Sequence, residues 1–168
     1  MKYFKALVFL FFVFHCSVEA QCIKRNDVRL QFQSCTDNLQ TDLLYNKIEL
    51  SKSHEPILIG YKGALIAIKA RFTMNPFRKL SYCKSGLDEI SIAIKNSPHD
   101  IELRYLRLLI QTNIPAFLGM STNLIEDKIV ILTFINIETD GHLKNMVTNF
   151  LMSSGLCTEK EKLNLVTL

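Results

Sequence analysis

The sequence predicts an all-α domain of about seven to eight helices, stacked as antiparallel helix pairs behind a cleaved signal peptide. Three observations predict it. Helix caps and stops recur along the whole chain after residue 20. Apolar residues return every three or four positions rather than every two. No Asn-Gly turn joins alternating runs, as a hairpin would need. The composition agrees with one globular unit: of 168 residues 48% are hydrophobic and 21% charged, with six Gly and four Pro. That excludes a collagen-like repeat, a disordered tail and a cysteine-dense scaffold, and the length suits a single domain over residues 21–168.

The leader reads first. Lys2 and Lys5 precede an unbroken apolar run from Ala6 to Phe14, and Val18-Glu19-Ala20 offers small residues where a signal peptidase cuts. The run is well short of the roughly twenty residues that span a bilayer. Export to the periplasm or the medium, with no stable membrane anchor after cleavage, is therefore expected. Cleavage removes two lysines and one glutamate and takes the formal net charge from +4 to +3. So mild a surplus, without a Lys/Arg block, argues against nucleic acid as a partner.

The helices follow in order. Asn26 and Asp27 open a first helix through about Ser34. Thr36 caps a second, in which Leu39, Leu43, Leu44, Ile48 and Leu50 form the stripe. Pro56 suits the first turn of a third helix to about Phe72, and Asn75-Pro76 opens the fourth and longest, ending near Asn96. Asp100 caps a fifth through about Thr112, which Pro115 stops. Ser121 or Asn123 starts a sixth. Its Ile129 to Ile135 stretch is β-branched enough for a strand, but a lone strand has nothing to pair with and Glu126-Asp127-Lys128 make a good first turn. Asp140 starts a seventh ending at Ser154-Gly155, and Thr158-x-x-Glu161 is a capping box for a last short helix.

Two helices carry most of the information. In the third, Gly60, Gly63, Ala64, Ala67 and Ala70 form small-residue stripes that let neighbouring backbones approach, which marks it as the central buried helix. In the fifth, Arg104, Arg107 and Gln111 share a sector of about 60° while apolar residues fill the rest of the circumference. Guanidiniums and an amide in a stripe suit the gripping of carboxylates or carbonyls. The alternative is a solvated edge, or internal pairing with Glu102, Glu126 or Asp127. The turn after it, Pro115, Phe117, Leu118 and Gly119, reads as packing that closes the helix end, or as an aromatic rim.

Cysteine chemistry is open. Cys22, Cys35, Cys83 and Cys157 follow the leader and permit three full pairings that sequence does not rank. Cys22 and Cys35, close together near the N-terminus, form the candidate disulfide, while Cys83 inside a helix suits a buried thiol equally well. Their spacing fits no zinc framework, and His54, His99 and His142 have no second ligand at metal spacing. No nucleophile elbow, phosphate loop or dinucleotide fingerprint occurs. Adjacent carboxylates such as Asp88-Glu89 and Glu126-Asp127 point to different helix faces. No enzyme, metal or cofactor is expected. No Asn begins an Asn-x-Ser/Thr acceptor, a mildly bacterial feature.

Gly86, Ile90, Ala93 and Pro98, followed by Leu103, Leu106 and Ile110, resemble the spacing of a tetratricopeptide repeat. Arg107 departs from it, standing where that repeat has a small residue, and the unit is about ten residues too long. More broadly, residues 57–130 resemble a family of small exported proteins of flavobacteria and their relatives. The likeness rests on Gly60-Tyr61-Lys62-Gly63-Ala64, Asn75-Pro76-Phe77 and Glu102-x-Arg104-x-x-Arg107. It continues through Gln111-x-Asn113-x-Pro115-x-Phe117-Leu118-Gly119 and Asp127-Lys128. The resemblance implies an exported helical domain and no particular reaction.

The functional expectation is a non-enzymatic protein-interaction module. Its helix-pair core, about residues 57–137, would hold a partner segment against Lys62, Arg104, Arg107, Gln111 and Asn113. The alternative is a cell-envelope carrier whose apolar third and sixth helices enclose a small apolar ligand.

Overall fold

The computed structural model describes residues 23–167, and every regular element within them is helical. Eight α-helices follow in order: α1 (Arg25–Gln33), α2 (Asn38–Leu50), α3 (Pro56–Ile68), α4 (Pro76–Asn96), α5 (Ile101–Thr112), α6 (Leu124–Phe134), α7 (Gly141–Ser153) and α8 (Glu159–Val166). Short 3-10 turns extend α3 over Lys69–Phe72 and α6 over Ile135–Ile137, and a third spans Ala116–Leu118. The expected signal peptide and Cys22, one half of the candidate disulfide, lie outside the described residues. Cys35, Cys83 and Cys157 form no disulfide with one another.

Local chemistry sets the helix ends. Asp100 and Asp140 each accept two backbone N–H groups of the turn they open, and Thr158 with Glu161 completes the expected capping box. The second helix is capped one residue later than expected. Asp37 accepts from Gln40 N at 2.8 Å, while Thr36 is itself bonded to the Gln40 side chain. Gly155 ends the turn after α7 with a φ of 72°, a backbone conformation that favours glycine. The β-branched stretch from Ile129 lies in α6 and the turn that follows it.

Packing then builds outward from α3, which touches α1, α2, α4 and α5. A three-residue connection after its 3-10 turn folds α4 back against it, so that Gly63 faces Gly86 to Ile90 while Ala67 faces Gly86. A methyl group added at Gly86 would stand 2.5 Å from the Gly63 carbonyl oxygen and 2.7 Å from Ala67 Cβ. This contact is backbone to backbone, and it is what the glycines are for. Helix α5 lies across the same pair and is buried at ten of its positions. Its far side is covered by α6, and α7 reaches it through the edge-to-face pair Tyr105–Phe150, with ring centres 5.2 Å apart.

The buried apolar residues form one continuous cluster from Val28 to Leu165, wider than the 57–137 span. Helix α1 joins it through Val28 and Phe32, whose ring meets Tyr61 edge-on at 5.2 Å. Phe117 is not part of it. Ile114 is buried just beyond the end of α5 and Met120 packs against the core, while the 3-10 turn leaves Phe117 standing 86% exposed.

Candidate functional site

Helix α5 carries two buried ionic networks on opposite flanks. On one, Glu102 is wholly buried and accepts from Arg29 Nε at 2.7 Å, Arg29 Nη2 at 2.8 Å, Arg25 Nε at 2.5 Å and the Tyr61 hydroxyl. Arg29 also reaches Asp140 at 2.7 Å and Arg25 reaches Asp100 at 2.8 Å. Burial pushes the Glu102 carboxyl up, but Arg29, Arg25 and Tyr61 outweigh it and hold the group below the usual carboxylate range. The Tyr61 hydroxyl is raised by burial and by the adjacent carboxylate. Glu102 thus ties α1, α3 and α5 together, and Arg29 extends the network to Asp140, the cap of α7.

The other flank decides the fate of the polar stripe. Asp127, wholly buried on α6, accepts two parallel bonds from Arg107 and one from Arg104. Arg104 spends its remaining donors on Glu126 at 2.5 Å and on the Pro98 carbonyl at 3.0 and 2.9 Å. Gln111 Nε2 donates to Met120 O at 3.0 Å, and its Oε1 is buried without a partner among the described residues. Asn113 is exposed and donates to Leu109 O at 2.7 Å, a cap on its own helix.

The five residues expected to grip a partner therefore do not converge. Three are buried under α6, one caps α5, and Lys62 alone opens onto a concavity. Arg104 and Arg107 are paired internally with Glu126 and Asp127, the alternative that the sequence also allows. Glu102 instead pairs with Arg25 and Arg29, which the sequence reading passed over. Their spacing of four, one helical turn, was the available signal.

Lys62 sits in an open groove of about 430 Å³ between the end of α2, the α2–α3 turn, α3 and α4. Leu58, Ile59 and Ile92 give it an apolar floor, and Lys52, His54, Glu49, Lys62 and Glu89 a charged rim. The turn keeps its shape through local bonds. Ser51 Oγ donates to Ile48 O at 2.6 Å, Lys52 takes a φ of 50°, and Pro56 then starts α3. Lys62 Nζ rests 3.2 Å from Glu49 on the half-exposed rim, a pair that costs little to part. Ile92 is 49% exposed, so apolar surface is presented rather than buried. A second, smaller hollow of about 260 Å³ lies beside Arg25 and Asp100, with His99, Phe134, Ile137 and Glu138 on its walls.

Comparison with protein-family models, curated proteins and solved structures gives no match for the chain.

What the groove can do follows from its groups. It offers apolar contact and exchangeable ion pairs, and no activated nucleophile lines it. The three described thiols lie elsewhere, and burial raises each of them above the ordinary thiol range, which keeps them protonated. Among the described residues no group of three His, Cys, Asp or Glu side chains is placed to hold a metal ion. None of the described helices is long and apolar enough to cross a membrane.

Proposed function

We propose that the chain is an exported, non-enzymatic helical module that takes an extended segment of a partner protein in the α2–α3–α4 groove. One observation carries this reading: the groove combines an apolar floor of half-buried Ile59 and half-exposed Ile92 with Lys62, Lys52 and Glu49 on its rim. An apolar side chain of the segment lies on Ile92, and a carboxylate displaces Glu49 from Lys62. The stacked α3–α4 and α4–α5 contacts support the tetratricopeptide-like pairing of helices, with Gly63 and Gly86 as the close approach. Export rests on the Lys2–Ala20 leader signals, and the likeness to small flavobacterial exported proteins on the Gly60–Ala64 and Glu102–Arg107 motifs. The carrier reading has less behind it, because both described hollows are open and rimmed by polar groups.

A photocrosslinking residue at position 92 tests the proposal, with the same residue at Leu39 on the outer side of α2 as control. Capture of one protein species at 92 and not at 39, lost in Lys62→Glu, is the expected result. Equal capture at both positions, or retention in Lys62→Glu, contradicts it.

A further inference from the structure

The mild net charge of the chain conceals a local one. Between residues 56 and 87 there are six cations and no carboxylate, while the rest of the chain has fourteen cations against sixteen carboxylates. The whole positive surplus thus belongs to the α3–α4 hairpin. Lys62 and Lys69 are paired with Glu49 and Asp42 of α2. Arg71, Arg78, Lys79 and Lys84 are exposed and form no ion pair among the described residues.

The same end of the hairpin bares apolar side chains. No residue of α4 before Gly86 is fully buried; Tyr82 and Cys83 are half-buried, Cys83 against the core, and the turn from Pro76 to Ser81 is exposed throughout. Met74 is 93% and Phe77 82% exposed, with Leu80 one turn on also exposed. None of them lines either of the two hollows described above, and Met74 and Phe77 leave most of their side chains in solvent. A folded partner would need a matching socket for each; a fluid apolar phase needs none. Projecting Phe, Met and Leu ringed by Lys and Arg is the chemistry of a surface that enters the headgroup boundary of a bilayer.

We propose that the α3–α4 hairpin end docks on an anionic lipid bilayer. Met74 and Phe77 enter the boundary between headgroups and acyl chains, and Arg71, Arg78, Lys79 and Lys84 lie among the phosphates. The contact is peripheral, separate from the groove, and holds whether or not the groove binds a segment.

The chain contains no Trp, so a single one is a clean reporter. Phe77→Trp places it at the hairpin end, and Phe117→Trp, equally exposed on the α5–α6 connection, serves as control. Each full-length variant is titrated with vesicles of phosphatidylcholine alone and of an equal mixture with phosphatidylglycerol. A blue shift and quenching by brominated lipid at position 77, only with the anionic vesicles and not at position 117, is the expected result. Adding Arg78→Gln, Lys79→Gln and Lys84→Gln weakens partition roughly a hundredfold, at about fivefold for each charge lost near the surface. No shift at 77, equal shifts at 77 and 117, or unchanged partition without the three charges overturns the proposal. So does an equal shift with soluble polyglutamate, which would make the partner an acidic polypeptide. Circular dichroism confirms that each variant is folded.

Discussion

Arg107 holds Asp127 through two parallel hydrogen bonds, Nε to Oδ2 at 2.7 Å and Nη2 to Oδ1 at 2.6 Å, with both side chains out of solvent. The pair locks α6 onto α5. It also engages the arginine stripe within the fold: Arg104 bonds Asp127, Glu126 and the Pro98 carbonyl, and Arg107 bonds Asp127.

Asp127→Asn leaves Arg104 and Arg107 sharing a buried site with one formal charge too few. A loss of about 3–5 kcal/mol in urea unfolding is expected, as for other broken buried pairs. Glu126→Gln, on the solvent side of the same cluster, costs below about 1 kcal/mol. Similar losses from the two would mean that Asp127 is not the anchor.

Gly86→Ala drives a methyl into the backbone of α3, where no side chain can swing away. The strain of about 1–3 kcal/mol exceeds the gain of about 1 kcal/mol from helix propensity, so the thermal midpoint falls. Gly60→Ala meets the Leu103 side chain instead of backbone and is the milder change. A stabilised Gly86→Ala protein would contradict the close approach.

Acid removes several ties at once. Glu126, Asp140 and Glu102 all sit below their ordinary values; hydrogen bonds from Arg104 and Arg29 are the leading causes for the first two, and arginine contacts outweigh burial for the third. Glu161 is held at about 2 by Lys128 and the Thr158 N–H, against an ordinary 4.5. A depressed carboxyl stabilises the fold fully above its unfolded value and loses that contribution as pH falls toward the folded one. The urea midpoint should therefore drop from about pH 4.5 downward, and Glu161→Gln should flatten part of that slope. At the alkaline end the slope reverses. Tyr61 keeps its proton longer in the fold, so stability declines once unfolded tyrosine ionises near about pH 10.

Ile92→Asp places a charge on the groove floor at a half-exposed position. Stability should change little, by about 0.5 kcal/mol or less, as for surface substitutions, while capture of a partner segment falls at least tenfold. Unfolding of this variant would show Ile92 to be core instead.

The helices were legible because their ends are local. Asp100, Asp140, Pro56 and the Thr158–Glu161 box each act within a turn, and the small residues of α3 announce close packing without naming the neighbour. The site was less so. Whether Arg104 and Arg107 face solvent depends on where α6 lies, and nothing in a periodicity of 3.6 encodes that. Lys62 was singled out beside them, yet it faces another groove, because α3 and α5 cross and present their polar residues to different sides of the core. Phe117 shows the same limit: an apolar turn after a helix reads as packing until the 3-10 turn that carries it is seen.

The most direct test of the groove is to select binding peptides from a displayed library against the folded chain and map the best one by amide chemical shifts. The account predicts changes at Glu49, Ser53, Ile59, Lys62 and Ile92, with Arg104, Arg107 and Gln111 still. Changes centred on α5 and α6, or no peptide enriched above background, would contradict it.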